Sequence, residues 1–336
     1  MTSRRGGALL VVGDVVTDIV ARHGAPLAPG TDTAAAIRTV PGGAGANVAC
    51  WAAAWGCGDV RLLGRVGADS AAWHEEALTR AGVRPRLVVD SEAPTGTVIC
   101  LVDGGGGAGA GGGGGGGAER TFLTDGGASV RLSAADWSPD LLDGVGWLHL
   151  SGYLFFAGPS RAAAAAALAA ARARGVPVSV DPASAGFLAG LGAERFLAAV
   201  EGVEVLLPSE GEAWVLAGAR GLAGARGLAG APGVVEVAGV VEGAGVVEVA
   251  GELSRRFPAV VVKRGAAGAV VAQGGAVRAE VPAVPAAARD STGAGDAFTG
   301  AFLAARLSGA GLCEASAEGC RAGARAVGLV GGRPVG

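Results

Sequence analysis

The residues best suited to chemistry are Asp290, Ser291, Thr292, Gly293, Ala294, Gly295 and Asp296. They follow a Pro-rich, extended approach from Val281 to Pro285 and open an apolar stretch from Ala297 to Leu307. A loop, two glycines and then good helix formers predict a helix whose first N–H groups have no partner inside it. Those groups and the helix dipole favour an anion just outside the helix. Gly293 and Gly295 carry no side chain, so a phosphoryl group can come close to the backbone. A carboxylate at Asp296 is electrostatically awkward beside such an anion. It makes sense as a base that takes the proton from a hydroxyl attacking that phosphoryl group. The plainer alternative is a helix capped by Asp290, Ser291 or Thr292 with glycines in the turn.

The elements that must position this run read as an α/β chain. Leu9–Val12 is a short apolar run bounded by Gly13, which predicts a buried strand. Asp14 and Asp18 follow it. Ligands bind beyond the carboxyl ends of strands in open α/β sheets, and an ionised carboxylate accepts two O–H donors at once. Both acids stand where such a role is open, although Asp14 reads more plainly as a strand-end turn residue. Gly42, Gly43 and Asn47 precede an apolar helix, Val48 to Trp55. Val60–Gly64 is a strand and Ala71–Ala81 a helix, with Trp51, Trp55 and Trp73 expected in the core. Thr95–Asp103 and Glu119–Leu123 read as a hairpin around a glycine-rich run, Gly104 to Gly117. That run lacks the Gly-Lys-Ser/Thr of a P-loop. Trp147–Tyr153 is a strand, Arg161–Arg174 a helix, and Val176–Val180 a strand ending at Asp181. After a strand at Val203–Leu207, Ser209 and Glu212 stand at a helix start, for which an exposed acidic first turn is the plainer alternative. Residues 219–251 are internally repetitive and read as an expanded surface connection. Ala259–Val271 is strand, glycine turn, strand; Cys320–Val330 is helical, and Gly331–Pro334 is a loop. Alternating strands and helices predict a doubly wound, mostly parallel sheet.

Composition narrows the function. The chain has 336 residues, half of them hydrophobic and 17% charged, so it can bury a sizeable core. Net charge is −3 with no basic block, which argues against nucleic acid as a partner. No apolar run is long enough to span a membrane, and Ala8–Val12 is too short for a signal peptide. Five cysteines without a Cys-x-x-Cys pair fit buried thiols in a reducing cytoplasm. No Gly-x-Gly-x-x-Gly follows the first strand, which disfavours a dinucleotide oxidoreductase.

The run from Asp290 to Phe298, together with Pro41-Gly42-Gly43-Ala44-Gly45-Ala46-Asn47-Val48-Ala49, resembles the two signatures of the ribokinase-like, PfkB-type carbohydrate kinases. The resemblance covers about Ala8 to Pro334. It implies one domain over 1–336, with a small β-sheet lid built from about 16–41 and 95–125 and with inserts at 104–117 and 219–251. It implies an ATP-dependent kinase acting on a hydroxymethyl group of a sugar. Asp296 would be the base, with Gly293, Ala294 and Gly295 supplying amides to the transferring group. Asp18, Gly42, Gly43 and Asn47 would hold the sugar. Ser209, Lys263, Gly265, Gly268 and Thr292 would lie on the nucleotide side, and Glu212 would hold Mg²⁺ through water. Ser209 replaces the family's usual asparagine, and Lys263 reads equally well as a solvated turn charge. The family's monovalent cation, K⁺, would sit by Asp290, and homodimers pair through the lid. A nucleoside kinase of the same family is the alternative. The segment Val20–Val40 lacks an aromatic clamp, which leans towards a plain sugar. A non-catalytic sugar-binding protein would not need Asp296, Gly293 and Gly295.

Overall fold

The computed structural model describes residues 6–103, 120–218 and 245–334. The glycine-rich run 104–117 and most of the repetitive segment lie outside them. The chain opens β1 (Ala8–Val12), β2 (Val16–His23), β3 (Ala35–Gly42), α1 (Ala44–Ala54), β4 (Val60–Gly67), α2 (Ala71–Arg80), β5 (Val83–Asp90), β6 (Thr95–Asp103) and β7 (Arg120–Gly127). It continues β8 (Val145–Ser151), α3 (Gly158–Arg174), β9 (Val178–Asp181), α4 (Ala185–Leu191), α5 (Ala193–Ala199), β10 (Val205–Leu206) and α6 (Glu210–Leu216). It closes α7 (Val246–Leu253), β11 (Ala259–Lys263), β12 (Ala269–Gln273), β13 (Ala276–Val281), α8 (Ala294–Leu307) and α9 (Leu312–Ala326).

Nine strands form the main sheet in the order β13-β12-β11-β10-β9-β8-β1-β4-β5. It is parallel from β11 to β5, and β12 and β13 add antiparallel at one edge. All five residues of β1 are buried, as a strand covered on both faces requires. The alternation of side chains assigns them to two layers. Leu10 and Val12 join Leu148, Leu168, Phe196 and Val260 on one face, and Leu9 and Val11 join Val48, Leu62, Phe302 and Val261 on the other. The chain winds outward from β1 to β5 and then returns to β8 on the other side of β1. The strand order therefore reverses beside β1, where doubly wound sheets open a crevice at the strand carboxyl ends.

A second sheet, β3-β2-β6-β7, stands apart. Its register puts Asp18, Val98 and Thr124 on the same face as Val20, Cys100 and Phe122. The opposite face carries Ile37 and Leu123, both more than half exposed.

Some expectations change. Trp51 is fully buried, but Trp73 is exposed and meets only the edge of His74. The repetitive segment is not connection to its end, because α7 buries Val246, Val249 and Ala250 against the main sheet. Asp14 is more than a turn residue. Its carboxylate accepts the Ala44 and Gly45 N–H groups at 2.6 and 3.2 Å and the Ser151 hydroxyl at 2.7 Å. It thus caps α1 from a distant strand end and ties β1 to β8.

Candidate active site

A cavity of about 850 Å³ lies between the small sheet and the carboxyl ends of the main-sheet strands. Asp18, Gly43, Asn47, Ser209, Glu212, Lys263, Thr292, Gly293, Gly295 and Asp296 all line it. The two signatures, far apart in sequence, thus meet in space. Asn47, in the first turn of α1, donates from Nδ2 to Asp296 Oδ2 at 2.9 Å. The remaining site residues lie further back. Gly42 sits beneath Asp18, where a Cβ would come within 2.2 Å of its carboxylate. Ala294 turns into the helix, and Asp290 is buried behind the loop. Gly265 and Gly268 sit in the turn after β11 and do not border the cavity; Gly268 packs on Val281–Ala283.

The loop before α8 has the backbone geometry that an anion site needs, with one difference from the sequence expectation. Gly293 is the N-cap, with φ of 71°, and a Cβ there would strike Gly332 Cα at 2.5 Å. Ala294 N–H is engaged by the Ser291 carbonyl at 3.3 Å. The Gly295 and Asp296 N–H groups have no hydrogen-bond partner among the described residues. They are the donors left for an anion. The buried Thr292 hydroxyl beside them also lacks a partner. Asp290 holds the loop rather than facing the cavity: Oδ1 accepts the Thr292 N–H at 2.9 Å and Oδ2 the Gly331 N–H at 3.1 Å.

Across this loop stands a charged group of Lys263, Asp181 and Glu212. Lys263 is an ion-pair partner of Asp181, not a solvated turn charge. Burial disfavours its ammonium, but Asp181 and then Glu212 outweigh burial and hold its pKa above the usual lysine value. Asp181 also accepts the Thr299 hydroxyl at 2.9 Å. Glu212 is buried rather than exposed. One of its oxygens accepts the Ser209 N–H at 2.8 Å, and Ser209 Oγ accepts the Glu212 N–H at 3.4 Å, a reciprocal cap. Among the described residues, no three His, Cys, Asp or Glu side chains cluster to hold a metal by themselves.

Both carboxylates facing the acceptor side are shifted. Burial pushes Asp296 up to about 7, opposed by the Asn47 bond and Lys263 and aided by Asp181 and Asp14. Burial also pushes Asp18 up to about 7, opposed by Arg333 and aided by Asp14. The Asp18 carboxylate has no hydrogen-bond partner within the described residues, so both its oxygens are available to a ligand.

Sequence reasoning marked Asp181 only as a strand-end acid, without a place in the site, and missed Arg333 and an aromatic wall. Arg333 donates from Nε to Asn47 Oδ1 at 3.2 Å and from Nη2 to the Gly42 carbonyl at 2.8 Å. Phe122 of the small sheet and Tyr153, Phe156 and Phe187 of the main body line the same cavity. The arginine and the aromatics lie in segments without a motif.

The whole architecture matches solved proteins. The adenosine kinase from Sinorhizobium meliloti superposes with a TM-score of 0.79 at 22% identity, covering 98% of this chain and 97% of that one. The ribokinase from Thermotoga maritima gives 0.73 at 24% identity over 97% and 94%. A ribokinase II from E. coli, solved in complex with ATP and Mg²⁺, gives 0.72 at 23% over 97% and 94%. No helix among the described residues is long and apolar enough to cross a membrane. The model of the pfkB family of carbohydrate kinases matches residues 8–334, and the chain belongs to that family of phosphotransferases.

Proposed function

We propose that this protein transfers the γ-phosphoryl group of ATP to a hydroxymethyl group of a small sugar or of a nucleoside. The observation that carries the reading is the placement of Asp296. Its carboxylate stands at the start of α8, beside the unpaired Gly295 and Asp296 N–H groups, and is bonded to Asn47 of the other signature. An acceptor hydroxyl lying between Asp18 and α8 would give its proton to Asp296 as its oxygen meets phosphorus. The two amides would stabilise charge gathering on the transferring group. Asp18 and Asn47 would orient the acceptor, with Gly43 allowing close approach.

The residues present fit a magnesium nucleotide. Glu212 has one oxygen not used in its cap, and Lys263, Thr292 and Ser209 line the same side of the cavity. Mg²⁺ usually keeps several waters and takes one or two carboxylates plus phosphates, so Glu212 would hold it through water. When bound, the metal would supply positive charge that offsets the negative charge of the phosphates. Lys263, released from Asp181, would meet phosphate. If K⁺ is used, backbone carbonyls of the two loops tied by Asp290 would bind it. A cytoplasmic location and homodimerisation through the exposed Ile37 and Leu123 face complete the reading.

A nucleoside acceptor has a specific observation in its favour. Val20–Val40 has no aromatic clamp, but Phe122 on one wall and Phe156 and Phe187 on the other, the latter two stacked at 5.3 Å, could take its place. Aromatic faces of that kind hold a base by stacking.

The test is ATP consumption with D-ribose, D-fructose, a keto-deoxy sugar acid, adenosine and pseudouridine, followed by Asp296→Asn on the active acceptor. Loss of a general base costs about 10²–10⁴ in rate. Because it acts in the transition state, kcat falls while both binding constants hold. A variant within tenfold of wild type would remove Asp296 from the mechanism.

A further inference from the structure

Arg333 sits where two long-separated parts of the site join. The two residues before it are anchored: Trp51 Nε1 donates to the Gly332 carbonyl at 2.9 Å, and Gly331 N–H donates to Asp290. Its guanidinium then reaches under the acceptor loop to Gly42 O and Asn47 Oδ1. Among the described residues it makes no ion pair, and its buried Nη1 lacks a partner. Burying a guanidinium against two neutral oxygens is a poor source of stability. A neutral donor would close the loop at less cost.

What an arginine adds is direction. A guanidinium only donates, so the Asn47 atom facing it must be the amide oxygen. The other end of the amide, the NH₂, then necessarily faces Asp296, where it bonds at 2.9 Å. Without Arg333 the amide is free to turn and present its oxygen to Asp296, an arrangement that suits only a protonated carboxyl. We propose that Arg333 is a positioning residue that fixes the direction of the Asn47 amide and so keeps a hydrogen-bond donor on Asp296. The proposal deepens the reading of Asp296 as the base and rests on it for its consequence in catalysis.

Other charges act on the same groups. Asp296 is faced by Asp181, Lys263 and Asp14 from the ends of β9, β11 and β1. Arg333 is faced by Asp14 and Asp18 and lies near Cys50 and His74. Removing its charge would shift Asp296 somewhat even without a relay through Asn47, so the experiment must subtract that direct effect.

Aspartate carboxyl ¹³C resonances, with Asp296→Asn assigning the signal, give the titration midpoint of Asp296 without any acceptor. Arg333→Met should raise it by about one pH unit, and Arg333→Lys, which still only donates, should restore it. Asn47→Ala removes the relay, and in that background Arg333→Met should move the midpoint by less than a third as much. Equal shifts in the two backgrounds, or none in Arg333→Met, would overturn the proposal. If Arg333→Met does not fold, Arg333→Gln, which can present either atom, must raise the midpoint where Arg333→Lys does not. Failure of the base reading shows elsewhere, as turnover by Asp296→Asn, and leaves the titration result standing.

Discussion

Asp296 and Asp18 each hold a carboxyl that burial pushes up to about 7, and that shift has consequences of two kinds. A base must be ionised to take a proton, so kcat should fall as pH drops below about 7, a limb that a rate profile reads directly. Stability moves the other way. The folded-state value lies above the ordinary 3.8, so the contribution to stability is full below 3.8 and is lost as pH rises through about 7. Asp296→Asn, uncharged throughout, should therefore be more stable than wild type at pH 8. One pKa unit is worth about 1.4 kcal/mol. With the open cavity screening part of the shift, a gain of about 1–2 kcal/mol is expected, a few degrees in Tm. Thermal melts at pH 8 and pH 4 check it, because the advantage should vanish at the lower pH. The signature residues were legible for a physical reason: glycines that must admit a ligand and acids at strand or helix ends have few structural excuses together. Arg333 was not legible. Nothing in Gly-Gly-Arg-Pro tells that the chain end returns to Asn47, a contact made across 286 positions.

At the scale of elements, the site depends on how α1 and α8 approach each other. Asn47 leaves the first turn of α1 and Asp296 the first turn of α8, so the distance between the helices sets their 2.9 Å bond. Gly300 fixes that distance. A Cβ on it would lie 2.6 Å from the Val48 carbonyl and 2.8 Å from both Ala52 N and Trp51 Cβ. Backbone cannot yield to that as a flexible side chain can, and the helices must part. Gly300→Ala should destabilise the fold by about 1–3 kcal/mol, as overpacking does, and should lower kcat more than it changes the affinity for ATP. Equilibrium unfolding with steady-state kinetics tests this; a stable variant with wild-type kcat would show that the helices tolerate the spread. In the sequence Gly300 is one small residue in the apolar stretch from Ala297 to Leu307, and nothing near it says what approaches it, because the partner helix lies some 250 residues earlier. Strands were legible where continuous apolar runs reflect burial on both faces, as in β1 and β11. Trp73 misled because one face of α2 is wet. Only His74 and Leu78 of that helix are buried, and helical spacing alone does not say which face turns inward.

For the whole molecule, the cavity exists only because two sheets face each other. The small sheet turns one face, with Asp18 and Phe122, towards the main-sheet strand ends, where Asp296, Lys263 and Phe187 wait. The hairpin of β6 and β7 was read from the residues themselves, whereas the part of the small sheet before α1 came only with the family resemblance, and the sequence reading searched only Val20–Val40 for aromatics. The aromatic wall is assembled from β7 and from segments after β8 and β9, which only the folded chain brings together. Phe122 and Phe187 are about half exposed, 51% and 44%, which leaves ring surface that a ligand could cover. A base bound between them would remove that surface from water. Aromatic stacking on a base is worth about 1–3 kcal/mol by alanine substitution, so Phe122→Ala should raise the KM for adenosine by about 5- to 150-fold. A bare ribose reaches only the Asp18 and Asn47 end, and its KM should change little. Asp18→Ala, in contrast, should weaken both acceptors alike, since it removes charge-assisted bonds of about 1.5–3 kcal/mol each to the shared sugar. Neither substitution should alter the Kd of ATP measured by calorimetry without acceptor. The pattern of two variants against two acceptors separates the readings: if Phe122→Ala leaves the adenosine KM untouched, the aromatic wall does not hold a base and the plain sugar is the better acceptor.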